Sequence, residues 1–88
     1  MATNQRFILS TVFGIADARI SKNTDNRYTL HIALTPHGES KIAGYLTQGG
    51  HSNKRQAMIA WLNMQSRLEL ELRTLSLRQH AVNGGDMD

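Results

Sequence analysis

The stretch Arg27-Tyr28-Thr29-Leu30-His31-Ile32-Ala33-Leu34-Thr35-Pro36 carries the clearest pattern in the chain. Tyr28, Leu30, Ile32 and Leu34 fall on alternate positions and share one face, while Arg27, Thr29, His31 and Ala33 share the other. That period of two is the mark of a strand with one side in a core. Thr35-Pro36 ends it. Proline cannot donate into a ladder, yet its fixed φ suits the first position of a helix, with Thr35 as N-cap. The pattern therefore predicts a short helix over about Pro36 to Gln48, with Ile42, Tyr45 and Leu46 as a narrow apolar face and Gly49-Gly50 as its C-terminal stop. Gly38 and Gly44 weaken such a helix by about 1 kcal/mol each relative to alanine, so it must pack against something.

Working outward, Asp17 to Lys22 also alternates, with Ala18 and Ile20 apolar and Asp17, Arg19 and Ser21 polar. Asn23-Thr24-Asp25-Asn26 between the two runs is turn chemistry, so residues 15 to 34 read as a hairpin. Phe7-Ile8-Leu9 and Val12-Phe13 extend the first strand, with Gly14 marking a bulge or bend. Downstream, a second helix opens at Ser52 or Asn53, where Asn53 and Gln56 form a capping-box variant. Met58, Trp61, Leu62, Leu68, Leu72 and Leu75 continue it at helical spacing. Leu68-Glu69-Leu70-Glu71-Leu72 also alternates with period two, but Leu, Glu and Arg favour helix and none is β-branched.

The 88 residues make one small domain, expected over 1–80, with 1–26 as an extra strand or arm and 81–88 as a flexible tail. An apolar share of 40% and a charged share of 19% are globular values rather than disordered ones. No run approaches the ~18 apolar residues of a membrane span, and the N-terminal apolar run is too short for an export signal. The absence of cysteine removes disulfides, thiol catalysis and Cys-ligated zinc, and fits a cytoplasmic setting. The net charge of +3 is compatible with a polyanionic partner. Residues 27 to 66 hold four basic side chains and one acidic, so an anion-facing surface is expected in the middle of the chain.

Catalysis is not expected. The histidines at 31, 37, 51 and 80 lack paired helical spacing or accompanying carboxylates, so no metal and no cofactor is assigned. There is no nucleophile elbow and no phosphate-cradling glycine loop. Gly50-His51-Ser52-Asn53-Lys54-Arg55 is more informative. Acidic residues normally occupy the first turn of a helix, and two cations there oppose the dipole. An anion held by free backbone N–H groups, Ser52, Asn53, Lys54 and Arg55 makes sense of them; a solvated first turn is the plainer alternative.

The strand Tyr28 to Leu34, Thr35-Pro36, the apolar Ile42, Tyr45 and Leu46, Gly50-His51-Ser52 and Ala60-Trp61-Leu62 together resemble the ribbon-helix-helix family of DNA-binding proteins. Gln48-Gly49-Gly50-His51-Ser52 with Ala57, Trp61 and Leu62 looks like the plasmid-partition adaptors of that family. The likeness covers residues 27 to 64, and Gln56 and Ala57 depart from the family's larger aliphatics. It implies an α+β fold, a short strand or hairpin followed by two helices, ribbon-helix-helix-like and dimeric. A strand from each protomer would pair into a ribbon that enters the major groove, and the second helix's N-terminus would clamp a phosphate. On that reading Thr29, His31 and Ala33 contact bases, and Ser52, Asn53, Lys54 and Arg55 bind phosphate. Tyr28, Leu30, Ile32, Leu34, Trp61 and Leu62 form the dimer core.

One strand and two helices bury too little apolar surface alone, and Leu70 and Leu77 lie off the main helical stripe, both of which point to a homodimer. The expected function is a dimeric, sequence-specific DNA-binding protein, a transcriptional repressor or partition adaptor. The alternative is a small accessory protein of a mobile element that binds and inhibits a host protein complex. Exposure of Thr29 and His31 separates the two: they must be open to read bases.

Overall fold

Alternation governs more of the chain than residues 17 to 34. The computed structural model describes the backbone of residues 5–84 and the side chains of residues 6–78. Four antiparallel strands form one sheet in the order β1 (Gln5–Thr11), β2 (Gly14–Lys22), β3 (Tyr28–Pro36) and β4 (Gly44–His51). Two helices follow, α1 (Lys54–Asn63) and α2 (Gln65–Gly84), packed mainly over β2 and β3. No described helix is long and apolar enough to cross a membrane.

The hairpin of β2 and β3 forms as the sequence predicts, with Asn26 supplying the left-handed residue at φ 66°. What precedes it is a separate strand rather than an extension. Val12-Phe13 makes a tight turn, pinned by Phe13 N–H donating to Thr11 Oγ1 at 3.0 Å, with Thr11 Oγ1 also 3.0 Å from the Gly14 carbonyl oxygen. Gly14 holds φ 149°, and a Cβ there would overlap the Thr35 carbonyl. It is thus the residue that lets β2 start beside the end of β3.

The helix expected over Pro36 to Gln48 does not exist. Pro36 is the buried last residue of β3, paired with Gly14 on one side. The β3–β4 pairing ends at Leu34 and Gly44, so no donor is required of Pro36 toward β4. Exposed residues 37–43 loop out and return as β4. Gly44 then fits beneath α2, where a Cβ would lie 3.2 Å from Leu75 Cδ1 and 3.4 Å from Leu34 Cδ1. Gly49-Gly50 is no helix cap but a bulge. Leu30 opposes Gln48 and Tyr28 opposes His51, leaving both glycines against Thr29, with Gly50 at φ 81°.

Directly opposed residues of antiparallel strands point to the same side. The rows Phe7–Ala18–Ile32–Leu46 and Leu9–Ala16–Leu34–Gly44 therefore face the helices. Ala16, Ala18, Ile20, Leu30, Ile32 and Leu34 are buried there against Ala57, Trp61, Leu68 and Leu72. The alanines of β2 leave room for the helices, and the Trp61 ring reaches across to stack on Phe7 at 6.4 Å between centroids.

Asn53 caps α1 as predicted, its side chain accepting from Gln56 N–H at 2.9 Å. Residues 67–78 are helical, with Leu68 and Leu72 buried and Leu75 half-buried over the sheet. Leu62, expected in the core, is 58% exposed. Of the tail expected over 81–88, residues 81–84 complete α2 and the rest lie outside the described residues, as do residues 1–4 of the expected arm.

The ribbon-helix-helix architecture is overturned by this topology. β3 is an inner strand with β2 on one side and β4 on the other, so no edge remains to pair with a partner's β3. Its apolar face, assigned to a dimer core, is covered within one chain by α1 and α2.

Candidate functional site

The side of the sheet opposite the helices is covered by no other described element. Its central rows follow from the pairing: Arg6–Arg19–His31–Thr47 and, beside it, Ile8–Asp17–Ala33–Tyr45. Ser21 and Thr29 oppose one another in the next row toward the Asn23–Asn26 turn.

Thr29, His31 and Ala33 thus lie on the uncovered face, half-buried only by their lateral neighbours. Their polar groups are engaged. His31 Nε2 is 2.9 Å from Ser21 Oγ and His31 Nδ1 is 3.1 Å from Tyr45 Oη, so one hydrogen-bonded chain crosses β2, β3 and β4. With neutral imidazole one hydroxyl donates and the other accepts, which fixes the ring's plane and the aromatic face of Tyr45. Thr29 Oγ1 accepts from Asn23 Nδ2 at 2.8 Å.

Arg6 forms a two-pronged pair with Asp17, at 3.0 Å from Nε and 2.7 Å from Nη2. The hydrogen bond from Arg6 holds the Asp17 carboxyl below its ordinary range, with the nearby charges of Arg6 and Arg19 adding to it; the Arg6 guanidinium is raised in return. Asp17 is neutralised by Arg6, while Arg19 makes no described side-chain bond. Asp17, Arg19, His31, Ala33, Ile42 and Tyr45 line an open hollow of about 240 Å³.

A second feature lies at the end of the sheet where β2 and β4 finish and β3 begins. Lys22 closes β2, Arg27 precedes β3, and Lys54 and Arg55 open α1 three residues after β4. The Arg27 guanidinium donates to the Gly50 carbonyl at 3.3 Å, tying the β2–β3 turn to the bulge of β4. Asp25, whose carboxylate accepts from the Arg27 backbone N–H, is the one acid among residues 22–27 and 50–55. The first turn of α1 contains no acid. Ser52, Lys54 and Arg55 therefore sit at a helix N-terminus with neighbouring cations, while Asn53 Oδ1 is already used as the cap. His51 is half-buried there, and its Nε2 is buried without a hydrogen-bond partner.

Sequence reasoning located Thr29, His31 and Ala33 on one face and Ser52 to Arg55 at a helix start. It missed Arg19, Ser21 and Tyr45, which join that face only through the pairing register. The alternation of Arg19 and Ser21 was the available signal; Tyr45 gave none while residues 36–48 read as helix. Among the described residues no group of three or more His, Asp or Glu gathers to hold a metal ion. The chain matches no protein-family model, no curated protein and no solved structure, so the site rests on its own geometry.

Proposed function

We propose that the protein binds double-stranded DNA, laying the uncovered face of β2, β3 and β4 toward the major groove and gripping phosphates with the basic end of the sheet. The observation that carries this is that Lys22, Arg27, Lys54 and Arg55 all fall at the end of the sheet where β2 and β4 finish, with Asp25 the one acid among residues 22–27 and 50–55, next to a face bearing Arg19, Thr29, His31 and Tyr45. Adjacent strands lie about 4.8 Å apart, and a groove about 12 Å wide admits two of them side by side, so β2 and β3 enter it while β4 stays at its rim. The reading surface is one chain's own sheet, replacing the two-chain ribbon.

Base readout falls chiefly to Arg19, whose donors make no bond among the described residues, with Thr29 and His31 set beside it. Phosphates are met by Lys54, Arg55 and the free N–H groups of the first turn of α1. A role as repressor or partition adaptor, and a cytoplasmic location, are further parts of the same proposal.

A different reading draws on Ile8, Ile15, Ile42 and Tyr45, which leave apolar surface exposed on the same face and suit a protein partner. Fluorescence anisotropy on labelled duplexes at several salt concentrations decides between the two. The DNA reading expects binding that weakens steeply with salt, and a slope flatter by about one unit per lost contact in Lys54→Ala/Arg55→Ala. No duplex binding at low salt would reject it in favour of the protein partner.

A further inference from the structure

The two edges of the sheet are unlike. β4 carries the Gly49-Gly50 bulge, which twists and interrupts its outer edge. β1 pairs with β2 through seven consecutive residues without a register shift, and nothing described pairs with its other side. It has no proline and no lysine over Gln5–Thr11, and its one charge, Arg6, is bonded to Asp17. These are the devices that ordinarily keep an edge solitary. The core beside β1 is also unfinished. The helices lie mainly over β2 and β3, leaving Phe7 and Leu9 half-buried on the helix side and Ile8 56% exposed on the other.

We infer that the outer edge of β1 is a dimer interface, pairing antiparallel with β1 of a second copy into a continuous eight-stranded sheet. The strand is self-complementary about its midpoint. A two-fold axis at Ile8 sets Ile8 against its own copy, Phe7 against the second copy's Leu9, and Arg6 against the second copy's Ser10. Both sides match at once, because opposed residues share a face. Phe7 and Leu9 of the two copies join into one apolar strip, and the two Ile8 side chains cover each other. No like charges are opposed: the two Arg6 positions fall four residues apart along the strand, roughly 14 Å, beyond the screening length of about 8 Å at physiological salt. An unrelated extended peptide would satisfy the same backbone groups but has no reason to match Phe7 with Leu9 and Ile8 with Ile8. The inference is independent of what the uncovered face binds.

Sedimentation equilibrium of the full chain from 1 to 500 micromolar, roughly the range in which a modest interface reveals itself, tests this. A dimer is expected, with the amides on the outer edge of β1 gaining hydrogen-exchange protection as concentration rises. Ile8→Lys places like charges on the two-fold axis without touching the core and should weaken the dimer at least about tenfold, with the circular dichroism unchanged. Leu70→Lys/Leu77→Lys, on the outer face of α2, should leave it intact. A monomer at every concentration, β1 amides indifferent to concentration, or a dimer that survives Ile8→Lys and is lost in the α2 variant would each overturn the inference.

Discussion

The two sides of β2 and β3 are built from interleaved residues of the same eighteen positions, yet their fates differ completely. On one side Ala16, Ala18, Ile20, Leu30, Ile32 and Leu34 are buried under two helices. On the other, Asp17, Ser21, Thr29 and His31 are held by lateral bonds alone, Ala33 lies among them, and Arg19 is exposed with no described side-chain bond. Binary alternation decides which residues go to which side, and it says nothing about what covers each side. That second question is settled by strand count and by the length of chain left over for helices. The comparison also separates two kinds of energy: dry packing on one side, hydrogen bonds and charge in water on the other.

The sharpest way to break the comparison is to truncate each side in turn. Ile32→Ala or Leu72→Ala removes a fully buried side chain and should cost about 2–5 kcal/mol, read as a fall in the urea midpoint at constant slope. Thr29→Ala and Arg19→Ala should stay within about 1 kcal/mol, since each gives up at most one exposed contact. Equal losses on the two sides would mean that something covers the second face in solution.

Gly14 tests how the sides are assigned, because it fixes where β2 begins relative to β1 and β3. Gly14→Ala puts a side chain at φ 149° and against the Thr35 carbonyl, and should cost about 1–3 kcal/mol. Gly38→Ala is strained by φ 86° alone, with open space around it, and should cost less. Thermal unfolding of the two variants side by side gives the order, and a reversed order would remove the close approach at Gly14 as the cause.

How much of this was legible depended on whether a signal was local. Asn23 to Asn26 announces its turn through side chains that tolerate left-handed backbone, and Asn53 announces α1 by capping it three residues before Gln56. Leu68, Leu72 and Leu75 announce helix by their spacing, but as a continuation of α1; the break at Met64 that makes α2 a separate helix has no signal in that spacing. Residues 36 to 51 failed because their signals are equivocal in isolation. Thr-Pro opens a helix as readily as it closes a strand, and Ile42, Tyr45 and Leu46 fit a helical face. The glycines that exclude the helix make sense only beside Leu34 and Leu75 at Gly44, and opposite Thr29 at Gly49-Gly50. β1 was missed for the same reason, since the Val12-Phe13 turn lacks the usual Asn or Asp. Of the site, the face of Thr29 and His31 was readable from period two, but its cross-strand bonds join residues ten and fourteen apart and need the register.

Those bonds allow a finer test of the uncovered side. Ser21→Ala and Tyr45→Phe should each cost about 0.5–1.5 kcal/mol, the net worth of one hydrogen bond. Their effects should not add, because each hydroxyl sets the proton position on the His31 ring that the other uses. A double-mutant cycle in urea measures the coupling, and strict additivity would show two separate bonds rather than one chain.

The smallest expected effect lies at Arg6 and Asp17, on the same side. Hydrogen bonding from Arg6 depresses the folded-state pKa of Asp17 below its ordinary value of about 3.9, so folding favours the ionised carboxylate. The stabilisation is fully present above that ordinary pKa and is lost as the pH falls through the lower, folded-state value. Wild type should therefore exceed Asp17→Asn in melting temperature by a small, constant margin above about pH 5, and that margin should close on acidification below about pH 4. Salt should shrink the margin at neutral pH, because the pair is partly exposed. Ile32→Ala, by contrast, should keep its full deficit across the same pH range, since no proton is bound or released on the helix-covered side by that change. A deficit in Asp17→Asn that persisted undiminished to pH 2.5 would show that Asp17 acts there through packing, as the covered face does, and not through its charge.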